Sequence, residues 1–125
     1  MRKGTILITD TLFVNKGQEQ ILRNAGYDIE RLPLARATEQ ELCAAIKDKV
    51  GYILGGVEQV TEPVIAAANK LRALVFTGID YTGFIPAIEA AKKKGIALGN
   101  TPEGPSQATA EWALAAALLM NRRMR

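Results

Sequence analysis

Residues 73–81, ALVFTGIDY, decide the fold of this chain. The first four are apolar and follow no helical period, which predicts a buried strand, and Thr77 and Gly78 predict a turn at its end. Ligands of open parallel sheets bind at the carboxyl ends of the strands. A glycine there leaves backbone N–H groups accessible to an anion, although Gly78 can equally serve a turn that needs only its backbone angles. We therefore expect the binding site of the domain at this turn.

The rest of the chain alternates short apolar strands with helices. Strands are predicted at residues 5–9, 27–32, 52–54, 73–76 and 96–98. Helices are predicted over 18–24 with Ile21 and Leu22 inward, from a capping box of Thr38 and Glu41, from Thr61, over 85–94, and from Ser106 to the last residue. Strict alternation with short connections predicts an α/β fold with helices on both faces of a five-stranded parallel sheet. We expect the doubly wound, flavodoxin-like strand order 2-1-3-4-5, with the second strand at an edge beside Pro33.

Composition narrows the function classes that this chain can serve. The 125 residues make one domain at most, and the absence of histidine excludes a histidine base or metal ligand from the chain itself. Cys43 is the sole cysteine, so we expect a small buried or half-buried residue in a reducing, cytoplasmic protein. The net charge of +3 is scattered apart from short runs such as Lys92 to Lys94, which predicts no nucleic-acid partner. The longest apolar run, residues 112–120, is shorter than the roughly 20 residues of a membrane span, so we expect no membrane partner.

The last predicted helix is unusually apolar. Between residues 108 and 120 only Thr109 and Glu111 are polar, a pattern typical of helices that are buried on more than one side. We expect this domain to cover one face of the helix. The other face would then be covered by a second copy of the chain, which predicts a homodimer, or by a further domain. The alternative is an ordinary alanine-rich surface helix.

Several familiar phosphate and metal sites are disfavoured by single residues. The loop from Gly99 to Ser106 resembles a phosphate-binding loop, but Pro105 occupies the position of its lysine, and no GxGxxG is present. A phosphate-receiving signalling domain would need an acidic residue where the third strand ends in two glycines. Asp10 and Asp80 both follow strands and could pair if those strands were neighbours, but two carboxylates without a third ligand are weak support for a metal, and we predict none.

An anion pocket remains as the interpretation that the residues favour. The backbone N–H groups of Thr77 and Gly78 are expected to hold a carboxylate. Gly55 and Gly56 end the preceding strand of the predicted sheet and are expected to flank the same pocket.

Three segments in this order resemble the D-isomer-specific 2-hydroxyacid dehydrogenases. They are LRALVFTGIDY, the pair of Lys94-Gly95-Ile96 and Asn100-Thr101-Pro102, and the run Ala108-Thr109-Ala110-Glu111 that leads into a leucine- and alanine-rich helix. The resemblance runs from the first strand to the last residue. Thr77 departs from it, because a small apolar residue is usual there, and so does Glu103-Gly104-Pro105.

The resemblance implies a two-lobed enzyme in which a Rossmann lobe that binds NAD or NADP interrupts a flavodoxin-like substrate lobe. Residues 1–105 would form the substrate lobe and 106–125 the helix that crosses to the missing Rossmann domain. Thr77 and Gly78 would bind the substrate carboxylate with Gly55 and Gly56 lining the cleft, and Pro102 and Thr109 would face the nicotinamide. The family's catalytic arginine, glutamate and histidine lie in later segments, so no catalytic residue is expected here.

The resulting hypothesis is that the parent protein transfers hydride between NAD(P)H and a small 2-keto acid, while this chain alone is inactive. The alternative is a stand-alone module with a flavodoxin-like fold that binds a small anion or dimerises, without catalysis.

Overall fold

A computed structural model describes residues 2–122 of the chain as a five-stranded α/β fold. The strands are β1 (Thr5–Thr9), β2 (Asp28–Leu32), β3 (Gly51–Leu54), β4 (Ala73–Phe76) and β5 (Ala97–Gly99). The helices are α1 (Lys16–Asn24), α2 (Glu39–Ile46), α3 (Glu62–Ala67), α4 (Ile88–Lys93) and α5 (Ser106–Arg122). All neighbouring strands are parallel, in the order β2-β1-β3-β4-β5. The predicted class, strand order and edge position of β2 are therefore confirmed.

The main core lies between the sheet and the helices α2, α3 and α4. It contains Leu42 and Ile46 of α2, Val64 of α3 and Leu74 of β4, all of them fully buried. A smaller cluster around Ile8 covers the opposite face, where α1 packs. β3 and β4 both alternate between half-buried and fully buried residues, as strands between two helical layers do. The core thereby fixes the sheet so that its carboxyl edge stays open for a site.

Local signals explain where the helices begin. Thr38 and Glu41 form the predicted capping box, and the structure adds a second one in which Asn15 caps α1. Thr61 also occupies an N-cap position, but its hydroxyl donates to the Glu39 carboxylate instead of capping α3. Ser106 is the first residue of α5 and not a cap ahead of it.

Some expected boundaries and faces are wrong. α4 begins at Ile88, because the carbonyl of Tyr81 accepts hydrogen bonds from the N–H groups of Phe84 and Ile85 and turns the preceding segment. Ile21 was expected to face the core, yet it is 68% exposed, while its neighbour Leu22 packs against the small cluster. Cys43 is half-buried and free, as predicted.

Helix α5 is not covered by its own domain. None of its described residues is buried, and Trp112 and Met120 are each 74% exposed. The expectation that the domain covers one face of this helix is therefore wrong, and residues 123–125 at its predicted end lie outside the described part of the chain. The helix presents an apolar surface that the rest of residues 2–122 does not contact extensively.

Two further expectations concern metals and membranes. Asp10 follows β1 and Asp80 follows β4, but β3 lies between those strands, so the pairing that adjacent strands would allow does not arise. Within residues 2–122 there is no group of three metal-ligating side chains. None of the helices described has the length and apolar character needed to cross a bilayer.

Candidate functional site

A cleft of about 680 Å³ opens at the carboxyl ends of the central strands. Gly55 and Gly56, which follow β3, and Thr77 and Gly78, which follow β4, all line it. The sequence therefore predicted correctly that these four residues lie together. Pro102 and Thr109 are exposed and do not line the cleft, which instead includes neighbours from the loop before α5, namely Thr101, Gly104 and Pro105.

The two glycines after β3 are required because backbone approaches them closely. The N–H of Gly55 donates a 3.0 Å hydrogen bond to the hydroxyl of Thr9, and a Cβ at Gly55 would overlap the carbonyl oxygen of Thr9. A Cβ at Gly56 would overlap the carbonyl oxygen of Ala35. Among residues 2–122 the N–H of Gly56 meets no hydrogen-bond acceptor. One free donor thus remains on this side of the cleft.

In the turn after β4, one residue uses its hydrogen-bond donors to hold the fold and the next has an unused donor. The N–H and the hydroxyl of Thr77 both donate to the carbonyl of Leu54, at 3.1 and 3.0 Å. The N–H of Gly78 has no acceptor within the described chain. A Cβ at Gly78 would lie 2.5 Å from the ring of Phe76, so glycine is needed for close packing and not for a left-handed backbone. Gly78 therefore keeps a free donor in this turn, and Thr77 fixes the turn to β3.

The loop after β5 also holds this turn through hydrogen bonds, which the sequence did not predict. The hydroxyl and the N–H of Thr101 donate to the carbonyls of Thr77 and Gly78, each at 2.9 Å. The side-chain amide of Asn100 donates to the carbonyl of Ile79. The carbonyls of three consecutive residues are thereby occupied, and the N–H of Gly78 is left facing away from them. The signal was present in the Asn-Thr-Pro motif, but its partners are more than twenty residues away.

The loop between β1 and α1 forms the rim of the cleft. Asp10 adopts a left-handed backbone, with φ of 62°, and the guanidinium of Arg31 donates to the carbonyls of Asp10 and Val14. Arg31 also pairs with Glu19. Leu12 and Phe13 between these anchors are 77% and 60% exposed, and both line the cleft.

A buried polar pair lies behind the glycines. The hydroxyl of Tyr52 donates a 2.6 Å hydrogen bond to Glu58, and the second carboxylate oxygen of Glu58 has no partner in the described chain. A Cβ at Gly56 would overlap that oxygen. Burial, and then the neighbouring Glu58 carboxylate, raise the pKa of Tyr52 well above its ordinary value. Tyr52 therefore remains a neutral donor across the physiological pH range.

The arrangement is a cleft with unpaired backbone donors, which is the chemistry of a site that can hold an anion. Gly56 and Gly78 both line the cleft, and within residues 2–122 their N–H groups have no hydrogen-bond acceptor. The chain contains no histidine to act as an acid or base. The carboxyl edge of a doubly wound sheet is where proteins of this fold class bind their ligands.

Comparison with known proteins identifies the family. The sequence profile of the D-isomer specific 2-hydroxyacid dehydrogenases, catalytic domain, matches residues 6–119, so the chain belongs to this family. D-3-phosphoglycerate dehydrogenase of Sus scrofa is 34% identical over 108 residues, which are 85% of this chain and 19% of that protein. The resemblance inferred from the three sequence segments is thereby confirmed.

Solved structures show the same fold. The TT0316 protein from Thermus thermophilus matches with a TM-score of 0.78 and 28% identity, over 95% of this chain and 37% of that one. The cofactor(NAD+)-bound 3-phosphoglycerate dehydrogenase of Entamoeba histolytica matches with a TM-score of 0.77 and 25% identity, over 93% of this chain and 38% of that one. The chain therefore spans about a fifth of the curated relative and less than two fifths of these solved structures.

Proposed function

We propose that this chain is the substrate-binding lobe of an NAD(P)-dependent dehydrogenase that interconverts 2-keto and 2-hydroxy acids. One observation carries the proposal, namely the free N–H of Gly78 at the head of the cleft. A substrate carboxylate would accept a hydrogen bond from Gly78 and a second one from Gly56 on the opposite side. Such charge-assisted bonds are short and about twice as strong as neutral ones. Thr77 would act indirectly, because its N–H already donates to Leu54.

The cofactor would be held mainly by another domain. The chain has no GxGxxG to hold a diphosphate, while the exposed loop that contains Pro102 begins beside Gly78 and leads to Thr109 on α5. Pro102 and Thr109 would contact the nicotinamide half there, and the bound cofactor would supply or accept the hydride. The NAD bound to the relative from Entamoeba histolytica supports NAD as the first cofactor to test, beside NADP.

The apolar surface of α5 supports a second domain. Trp112, Leu114 and Leu118 are all more than half exposed, and such a surface is normally covered in a folded protein. We assign residues 106–125 to the segment that crosses to the nucleotide-binding domain, and residues 1–105 to the substrate lobe. A homodimer of the complete protein would cover the remaining face. The lobe alone would bind the acid without turning it over.

The test uses the complete protein that carries this lobe, with NADH or NADPH and a panel of 2-keto acids. Reduction of a 2-keto acid is the expected result. Gly78→Ala should raise KM by about 10–100-fold, because its methyl group displaces the donor or the ring of Phe76. Gly83→Ala is the matched control, since a Cβ there meets nothing within 4 Å.

The alternative of a binding module predicts a different result. The complete protein would then bind 2-keto acids, with binding weakened by Gly78→Ala, and would not oxidise NADH or NADPH with any of them. Equal effects of Gly78→Ala and Gly83→Ala on KM would contradict the assignment of the carboxylate to Gly78.

A further inference from the structure

The walls of the cleft below the free N–H groups are apolar. They are formed by Leu12, Phe13, Val57, Phe76, Phe84 and Pro105. The rings of Phe76 and Phe84 stack with their centroids 4.8 Å apart, so this wall is rigid. A volume of about 680 Å³ leaves space for a substrate tail of several carbons beyond the carboxylate.

Positive charge is missing from these walls. Within residues 2–122, the cleft is lined by neither a lysine nor an arginine. Arg31 lies beneath the rim, and each of its three guanidinium nitrogens donates a hydrogen bond, to Glu19 and to the carbonyls of Asp10 and Val14. These bonds hold the guanidinium under the loop, and Arg31 does not line the cleft.

Two other charged residues, Arg36 and Asp10, lie near the apolar walls. Arg36 is exposed and lines a separate cavity of about 340 Å³ beside α2, together with Glu39 and Glu58. Asp10 is the sole charged side chain among the described residues that line the cleft itself, and its carboxylate already accepts a hydrogen bond from the N–H of Thr11. A second anionic group on a substrate would meet this negative charge, and none of the described lining residues carries a cation to offset it.

We infer that the lobe selects 2-keto acids with an uncharged, apolar tail and rejects those that carry a second anionic group. This inference rests on the proposed function, and it concerns the specificity of the same cleft. Phe13 and Val57, which both line the cleft, contact the tail, and Asp10 repels a phosphate or a second carboxylate. The lobe thus differs from its relative named D-3-phosphoglycerate dehydrogenase, whose name states a phosphorylated substrate.

The first measurement compares kcat/KM for four 2-keto acids in the complete, unmodified protein. The acids are 2-ketoisocaproate, phenylpyruvate, pyruvate and phosphohydroxypyruvate. We expect kcat/KM for one of the two apolar-tailed acids to exceed that for phosphohydroxypyruvate by at least about 10-fold, because each buried methylene contributes about that factor or more. Activity that favours phosphohydroxypyruvate would overturn the inference and leave the proposed function intact. No activity with any acid would overturn the proposed function itself.

Charge variants provide the second measurement. Phe13→Arg introduces a cation at a position that is 60% exposed, so the fold should tolerate it. It should lower kcat/KM for 2-ketoisocaproate and raise that for phosphohydroxypyruvate, which shifts their ratio by about 10-fold or more. Ala44→Arg, on the exposed side of α2, makes the same change in net charge away from the cleft and should leave the ratio unchanged.

Two further variants separate the effect of Asp10 from that of Arg36. Asp10→Asn should raise kcat/KM for phosphohydroxypyruvate by several-fold with little change for pyruvate. Arg36→Ala should leave the ratio unchanged, since this side chain lines a different cavity. A loss of phosphohydroxypyruvate reduction in Arg36→Ala would show that Arg36 reaches into the cleft and would contradict the inference.

Discussion

The hydroxyl of Tyr52 lies 2.6 Å from the carboxylate of Glu58, and both residues are only 1% exposed. The pair connects β3 to the segment that follows the two cleft glycines, so it supports the site from behind. Tyr52→Phe leaves the Glu58 carboxylate buried without a donor, and we expect it to lower the free energy of unfolding by about 2–3 kcal/mol. Denaturant unfolding of the lobe measures this loss.

The matched control for that variant is Tyr81→Phe. The hydroxyl of Tyr81 donates no hydrogen bond within the described chain, so its removal should change stability by less than about 0.5 kcal/mol. The double variant Tyr52→Phe with Glu58→Leu should regain part of the loss, because removing both partners leaves no unsatisfied carboxylate. If Tyr52→Phe were as stable as Tyr81→Phe, the buried pair would have no structural role.

The same pair predicts how stability depends on alkaline pH. Burial and the Glu58 carboxylate raise the pKa of Tyr52, so between about pH 10 and the raised value the unfolded chain has lost a proton that the folded chain keeps. The contribution of Tyr52 to stability is therefore constant below about pH 10 and falls above it. For Lys49 burial acts in the opposite sense, but its hydrogen bonds to Asp48 and Glu30 raise the pKa overall, so Lys49 contributes a decline in the same direction.

Unfolding free energies between pH 8 and pH 11 test that dependence. The slope above about pH 10 should become shallower in Tyr52→Phe, because that variant lacks the titrating hydroxyl. The remaining slope belongs to Lys49 and to other groups. An unchanged slope in Tyr52→Phe would contradict the raised pKa of Tyr52.

The glycines of the cleft should differ in their tolerance of a methyl group. A Cβ at Gly56 would overlap both the carbonyl of Ala35 and the carboxylate of Glu58, so Gly56→Ala should cost about 1–3 kcal/mol of stability. Gly104→Ala, in the same cleft, places its Cβ 3.5 Å from the nearest atom of Thr101 and should be nearly neutral. Equal thermal stability of the two variants would show that the loop after β3 can move aside.

The hydrogen bonds from Thr101 predict an effect on substrate binding. Thr101→Val removes the hydroxyl that donates to the carbonyls of Thr77 and Gly78, which loosens the turn that carries the free N–H. We expect KM for a 2-keto acid to rise by about 5–10-fold in the complete protein, with kcat much less affected, since roughly 1 kcal/mol of positioning is lost. Thr101→Ser retains the hydroxyl and should restore KM, which a purely steric role would not require.

The sequence predicts most of this fold because its signals are local. The capping box of Thr38 and Glu41, the apolar strands and the short connections each depend on residues within a few positions, and right-handed crossovers limit the strand orders to a few. Gly55 and Gly78 lie in the same cleft because neighbouring parallel strands end at the same edge of the sheet. The sequence does not predict which way the backbone N–H groups and side-chain donors of the site point. The N–H of Thr77 donates to the carbonyl of Leu54, and the hydroxyl of Thr101 donates to the carbonyl of Thr77. Both contacts join distant parts of the chain and exist only in the folded sheet.

The predicted burial of one face of α5 is wrong for a different physical reason. Its apolar composition predicts that the helix is covered, but composition alone does not state which surface covers it, and the described part of this domain does not. The same limit applies to Ile21, whose position in α1 matched an inward stripe although the face that packs on the sheet is that of Leu22.

The exposure of α5 yields a prediction for a truncated lobe. Since no described residue of α5 is buried, a variant ending at residue 105 should lose less than about 0.5 kcal/mol of unfolding free energy relative to the chain ending at residue 125. The shorter variant should also associate less at high concentration, because Trp112 and Met120 are removed. Denaturant unfolding and light scattering on the two variants measure both effects. A loss of several kcal/mol on truncation would mean that α5 packs on its own lobe in solution, and the division of the chain at residues 105 and 106 would then be wrong.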